Sequence, residues 1–281
     1  MGLHFGRRFS TIFTHPTKEK DITQLSDVKC FLLDMDGTFY LGGNLIPGSP
    51  EFIQRVVESG RDYLFLTNNS SHDSAFYVKK LAGMGLTVPR AKVLTSGEAT
   101  ADELNRLYPG KRAFVLGNEY LLADMERAGI PVDFRQPEIV VIGYDTTLTY
   151  AKMTAVCDFI RAGLPYIATH PDFNCPTETG FAPDIGAIMA FIEASTGRRP
   201  DLIVGKPHPG IVDAAVRRTG LTCGEMAMVG DRLYTDIQTG VNSGMLSVLV
   251  MSGETTPDML AASAVKPDLV FDRLSDMIPL L

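Results

Sequence analysis

The sequence predicts an α/β protein built on parallel sheets, with one α/β unit inserted into another. Three observations carry that reading. Short apolar runs alternate with helical stretches of ten or so residues from Cys30 onward. Several of those runs are continuously apolar, as strands covered on both faces are. The alternation also restarts between its first and last parts, with a set of runs of its own. Strands separated by helices of this length need crossover connections, so they pair in parallel.

The first run, residues 30–35, is broken only by Asp34 and predicts a buried strand. A turn containing Gly42, Gly43 and Pro47 leads to a helix over 50–59, with Phe52, Ile53, Val56 and Val57 on one side and Gly60 closing it. Residues 63–66 form a second strand that ends in Thr67-Asn68-Asn69-Ser70. A helix over 72–82 and a third strand over 93–95 follow. Within 97–200, strands are expected at 113–116, 139–142 and 166–168, and helices at 119–128, 151–162 and 184–194. Beyond it the spacing predicts a strand over 202–204, a helix over 209–219, a strand over 226–229 ending at Gly230-Asp231, a helix over 234–242 and a strand over 246–250. The expected organisation is an N-terminal extension over 1–26, a Rossmann-like parallel-sheet core over 27–96 and 201–281, and an inserted α/β unit over 97–200.

Composition narrows the function classes. With 45% hydrophobic and 21% charged residues in 281, the chain is of ordinary globular make-up, which excludes disorder, collagen and coiled coil. Its longest apolar stretches, such as 139–142 and 246–251, fall far short of the roughly 18 residues of a membrane helix. Twenty-six basic against 33 acidic residues leave a net charge of −7 and no basic stripe, so nucleic acid is not an expected partner. Cys30, Cys157, Cys175 and Cys223 show no paired spacing and read as buried or incidental thiols in a reducing compartment. Residues 1–26 have no acid before Glu19 and no apolar core of signal-peptide length. They read as a loosely held extension of a cytoplasmic protein rather than as a mitochondrial presequence.

In doubly wound sheets, ligands bind beyond the carboxyl ends of the strands. Four strand ends here carry polar residues: Asp34-Met35-Asp36-Gly37-Thr38, Thr67-Asn68-Asn69, Gly205-Lys206-Pro207 and Gly230-Asp231 through Asp236. In an extended chain Asp34 and Asp36 share one side, about 6.6 Å apart. Two carboxylates there are unfavourable unless a metal or a shared proton compensates. With Asp231 and Asp236 they form an all-oxygen set suited to a hard cation such as Mg²⁺, and Lys206 supplies a charge that a phosphate would meet. Any one of these residues reads equally as a helix cap or a turn residue. The set does not, because capping requires neither the lysine nor the Asp34 and Asp36 pair.

These four segments, in this order, resemble the four motifs of the haloacid dehalogenase superfamily. The stretches Asp36-Gly37-Thr38-Phe39-Tyr40-Leu41-Gly42, Thr67-Asn68-Asn69-Ser70-Ser71 and Gly205-Lys206-Pro207 resemble its NagD-like, nitrophenylphosphatase branch, whose large cap is inserted where residues 97–200 stand. The resemblance implies Asp34 as nucleophile and Asp36 as general acid and base. It implies Mg²⁺ on the Asp34 carboxylate, the Asp36 carbonyl and Asp231, with Asp236 behind them. Gly37, Thr67, Asn68, Asn69 and Lys206 would surround the phosphoryl group. It further implies a small phosphorylated metabolite as substrate and the cap as a dimer surface.

Two positions depart from the branch's usual pattern. Thr169-His170-Pro171-Asp172 replaces Thr-Asn-Pro-Asp, and Pro183-Asp184 replaces Pro-Gly. His170, Asp172 and Asp184 are therefore candidate specificity residues, although His170 reads equally as a turn or core histidine and Asp184 as a helix N-cap. The expected activity is Mg²⁺-dependent hydrolysis of small phosphomonoesters through an aspartyl-phosphate. The alternatives are phosphoryl transfer to another acceptor, as in a mutase, and a non-catalytic sensor of phosphorylated metabolites.

Overall fold

The apolar runs become the strands of two parallel sheets in a computed structural model that describes residues 24–177 and 179–281. The chain runs through β1 (Cys30–Leu33), the hairpin of β2 (Tyr40–Leu41) and β3 (Asn44–Leu45), α1 (Ser49–Glu58), β4 (Asp62–Thr67), α2 (Ser74–Gly83), β5 (Val93–Thr95) and α3 (Ser96–Leu107). It continues with β6 (Ala113–Leu116), α4 (Glu119–Arg127), β7 (Ile139–Ile142), α5 (Tyr150–Arg161), β8 (Tyr166–Ala168), the hairpin of β9 (Asn174–Thr177) and β10 (Gly180–Pro183), α6 (Ile185–Thr196) and β11 (Leu202–Ile203). It closes with α7 (Pro209–Thr219), β12 (Met226–Gly230), α8 (Gln238–Ser243), β13 (Leu246–Val250), α9 (Pro257–Ala262) and β14 (Leu269–Phe271).

The larger sheet has the order β14-β13-β12-β1-β4-β5 and the smaller β11-β8-β7-β6, all pairs parallel. Successive side chains of a strand point to opposite faces, and here both faces are covered. In β1, Phe31 and Leu33 face α1 and α2, whereas Cys30 and Leu32 face a middle layer that holds α3, α4 and α7. In β7, Ile139 and Val141 face that same middle layer, and Val140 and Ile142 face α5 and α6. The molecule is thus layered helix, sheet, helix, sheet, helix, and one apolar layer is common to the two sheets. Among the described residues, no helix is long and apolar enough to cross a membrane.

Several expectations shift. Leu202–Ile203 was expected in the larger sheet but pairs with β8 at the edge of the smaller one. Val57 is exposed, because it lies about 100° around α1 from Val56 and turns off the face that Phe52, Ile53 and Val56 bury. The helix expected over 234–242 begins instead as a π-helical turn at Leu233–Ile237. Of the extension expected over 1–26, residues 1–23 lie outside the described part. Leu25, which that extension was expected to include, is buried against the core.

Candidate active site

The site forms where β1, β4 and β12 end, at the carboxyl edge of the larger sheet. β1 stops at Leu33, so Asp34 and Asp36 lie in the loop beyond it and not in an extended strand. The Asp34 amide still donates to Val229 O of β12 at 2.9 Å, which holds its side chain at the sheet edge. Gly37 then turns the chain with φ +85, a conformation that favours glycine. A β-carbon there would lie 2.4 Å from Asp231 Oδ2, and one on Gly253 would lie 2.0 Å from it. Two glycines therefore leave room for the Asp231 carboxylate.

Lys206 is the centre of the charge network. Only 2% of it is exposed, and its Nζ donates to Asp34 Oδ1 at 2.5 Å and to Asp236 Oδ1 at 2.7 Å. Asp236 Oδ2 accepts from the Arg232 amide at 3.1 Å. Asp231 Oδ2 accepts from the Glu254 amide at 2.7 Å, and its Oδ1 from Thr38 Oγ1 at 3.3 Å. Carboxylate oxygens of Asp34, Asp231 and Asp236 all lie within 4.8 Å of one another. Asp36 does not join that carboxylate cluster, against the expectation that four acids converge; its exposed side chain stands in the cleft above.

Crowding of negative charge away from water shows in the titration of these groups. Burial pushes the Asp34 carboxyl up to about 8, against the pull of Lys206 and helped by the nearby Asp236 and Asp231. Asp231 is pushed up to about 6, again first by burial and then by Asp236. Lys206 is held above its ordinary range by its two carboxylate partners, which outweigh its own burial. Three acids crowd one lysine, a repulsion that a proton or a cation would relieve.

The second strand end joins this floor to the smaller sheet. Asn68 clamps the backbone of Lys206: its Oδ1 accepts from Lys206 N at 2.7 Å and its Nδ2 donates to Lys206 O at 3.0 Å. The same Nδ2 lies 3.2 Å from each oxygen of Asp172. The Asn69 amide donates to Thr67 Oγ1 at 3.2 Å. Ser70 Oγ accepts from the Tyr144 amide and from Thr169 Oγ1, both at 2.9 Å, and Asn118 Nδ2 reaches Ser71 O. Thr67, Asn68, Asn69, Asp34, Asp36 and Lys206 line one cleft of about 240 Å³.

The three candidate specificity residues separate. Asp172 and Asp184 line the cleft. Asp184 also caps α6, its Oδ1 accepting from the Ile185 amide at 2.6 Å. His170 is fully buried between Thr169 Oγ1 (3.0 Å) and Asp184 Oδ1 (3.1 Å), and it does not line the cleft. Other wall residues escaped the sequence reading: Phe76, Tyr77 and Lys80 on one face of α2, with Lys80 Nζ 4.0 Å from the centre of the Tyr40 ring. Their spacing of three and four is the helical signal that marks them. Arg232, beside Asp231 in sequence, also enters the wall.

Comparison with known proteins agrees with this geometry. Residues 31–131 match the haloacid dehalogenase-like hydrolase family, and residues 203–277 match the HAD-hydrolase-like family. An acid sugar phosphatase of Staphylococcus aureus is 36% identical over 255 residues, covering 90% of this chain and 98% of that protein. Among solved structures, the 4-nitrophenylphosphatase of Thermotoga maritima superposes with a TM-score of 0.88 at 48% identity, over 90% of this chain and 97% of that one. NagD of Escherichia coli K-12 superposes with a TM-score of 0.83 at 32% identity, over 89% and 98%. The chain therefore belongs to the haloacid dehalogenase-like hydrolases, in the branch of NagD and the nitrophenylphosphatases.

Proposed function

We propose that the chain is a Mg²⁺-dependent hydrolase of small phosphomonoesters that works through an aspartyl-phosphate on Asp34. One arrangement carries the reading: Asp34 lies at the floor of the cleft, paired to buried Lys206, while Asp36 stands in the same cleft outside the carboxylate cluster. That separation suits two different tasks. An oxygen of Asp34 attacks phosphorus, the bond from phosphorus to the ester oxygen breaks, and Asp36 gives its proton to the departing alkoxide. Asp36 then takes a proton from water, whose oxygen attacks the phosphorus of the acyl phosphate. The bond to Asp34 breaks, phosphate leaves and the carboxylate is restored. Lys206 offsets charge on the phosphoryl oxygens, beside Thr67 and the backbone near Asn68, Asn69 and Gly37.

The residues present fit a hard divalent cation, since the donors are oxygens and the crowded carboxylates repel one another unless a proton or a cation lies among them. The Asp34 and Asp231 carboxylates and the Asp36 carbonyl would hold Mg²⁺, with Asp236 behind them. Bound there, the ion supplies positive charge for the phosphoryl oxygens. The activities in the names of the relatives, on sugar phosphates and nitrophenyl phosphate, support the reaction class. A cleft walled on one side by the strand ends of the larger sheet and on the other by Asp172, Asn174 and Asp184 supports a small organic phosphate as substrate.

The test is phosphate release from a panel of small phosphomonoesters, including nitrophenyl phosphate, with and without Mg²⁺, beside Asp34→Asn. Release is expected to need the metal, and Asp34→Asn to lower it by at least about a thousandfold, as loss of a nucleophile does. Silence across the panel, with phosphorylated ligands still raising the melting temperature, would favour a sensor or a phosphotransferase.

A further inference from the structure

The catalytic cleft opens into a second, larger space of about 760 Å³, and the two share Asp36, Asp172, Asn174, Arg232 and Thr235 in their walls. A phosphoryl group seated against Asp34 directs its ester oxygen toward Asp36. Since Asp36 borders both spaces, a substrate whose ester oxygen meets Asp36 has the outer one open to its alcohol part.

The walls of that outer space carry several large apolar side chains. Leu41 of β2, Phe173 and Phe181 at the β9–β10 hairpin, Tyr234 after Asp231 and Met259 of α9 all border it. They are 59%, 61%, 75%, 52% and 39% exposed, respectively. Single exposed apolar side chains are ordinary. Five of them, from distant parts of the chain, converging on the mouth of a catalytic cleft mark a binding surface. Of the charged groups beside them, Glu254, Arg232 and Asp172 already have partners. Glu254 accepts from Tyr234 Oη at 2.8 Å and pairs with Arg232 Nε at 2.9 Å, and Asp172 accepts from Asn68. What this wall offers a newcomer is chiefly hydrocarbon.

We infer that this vestibule binds the alcohol part of the substrate and selects phosphomonoesters with an alkyl or aryl group over those of polyhydroxylated sugars. The inference rests on the hydrolase reading for the identity of the ligand, and it adds the substrate class. A sugar entering here exchanges hydration for Leu, Phe and Met side chains that cannot hydrogen-bond. An alkyl chain instead gains roughly two- to fourfold in affinity per methylene that leaves water.

The experiment measures binding of non-hydrolysable methyl-, propyl- and hexylphosphonate to the full chain with Mg²⁺ by calorimetry, with nitrophenyl phosphate hydrolysis followed on the same preparation. Affinity rises with chain length, by roughly two- to fourfold per methylene, and Phe181→Ser and Met259→Ser each flatten the rise. Phe134→Ser, which truncates an exposed phenylalanine outside the cleft, leaves the slope in place. A flat series, or a slope that survives both vestibule substitutions, overturns the inference. A flat series with loss of dimer mass in Phe181→Ser overturns it in favour of a second copy of this chain on the patch. Hydrolysis alongside a flat series removes the vestibule alone, and a rising series without hydrolysis removes the hydrolase reading alone.

Discussion

The floor and the mouth of the cleft are built on opposite principles. At the floor, Lys206, Asp231 and Asp236 are almost wholly buried, each polar group is matched to a named partner, and the supporting backbone comes from adjacent strands of one sheet. At the mouth, Leu41, Phe173, Phe181, Tyr234 and Met259 are exposed and come from hairpins, a loop and a short helix. Buried charge tolerates little displacement, because an unmatched ion in a dry site costs several kcal/mol. Exposed apolar side chains can change at little cost to folding. The chemistry is held where change is expensive, and the surface that meets the variable part of a ligand lies where change is cheap.

The sharpest way to break this contrast is at Lys206. Lys206→Met leaves Asp34 and Asp236 buried without their cation, and chemical denaturation without Mg²⁺ should show a loss of about 3–5 kcal/mol. An unchanged unfolding midpoint would mean that water already reaches the floor. Gly37→Ala comes next. Its β-carbon meets the Asp231 carboxylate and its φ is unfavourable to other residues, so stability should fall by about 1–3 kcal/mol and phosphate release with it.

The pH dependence of the metal-free protein separates the two regions further. Asp34 and Asp231 titrate near 8 and 6 when folded, against the ordinary value of 3.8, so the folded protein holds extra protons. Their contribution to stability is complete below the ordinary value and is lost as pH rises through 6 and then 8. With a chelator present, the melting temperature should therefore fall by roughly a few degrees over that window. Protection by Mg²⁺ should grow across it, and Asp34→Asn should flatten the fall. A melting temperature that rises from pH 6 to 8 under chelation would contradict this. The smallest effect belongs to the mouth: Phe173→Ser should change the unfolding free energy by no more than about 0.5 kcal/mol, read from the same denaturation curves.

Much of the floor was legible because its residues sit at the ends of continuous apolar runs, where a parallel sheet presents its binding edge. Residues 93–95, 113–116, 139–142, 209–219 and 246–250 form the elements expected of them. Elsewhere the local signal was weak or unread. β9 and β10, of sequences Asn-Cys-Pro-Thr and Gly-Phe-Ala-Pro, contain prolines and no apolar alternation, so they do not look like strands. α3 went unread although Thr95 and Glu98 stand in the spacing of a helix start, and the Thr95 hydroxyl does accept from the Glu98 amide. A two-residue strand such as Leu202–Ile203 carries no information about which sheet edge it will join.

The sequence by itself determined the layered α/β class, the acids and the lysine at successive strand ends, and the chemistry those residue types can perform. Such features depend on neighbours along the chain, through alternation, helical spacing and the order of strand and turn. Only the tertiary structure decided that Asn68 clamps a lysine 138 residues away, that Gly37 and Gly253 together make room for Asp231, and that Asp36 stands apart from the other three acids. It alone brought Leu41, Phe181, Tyr234 and Met259 to one opening. The reason is physical: strand order and the shared packing of two sheets set distances between remote residues, and no local pattern records them.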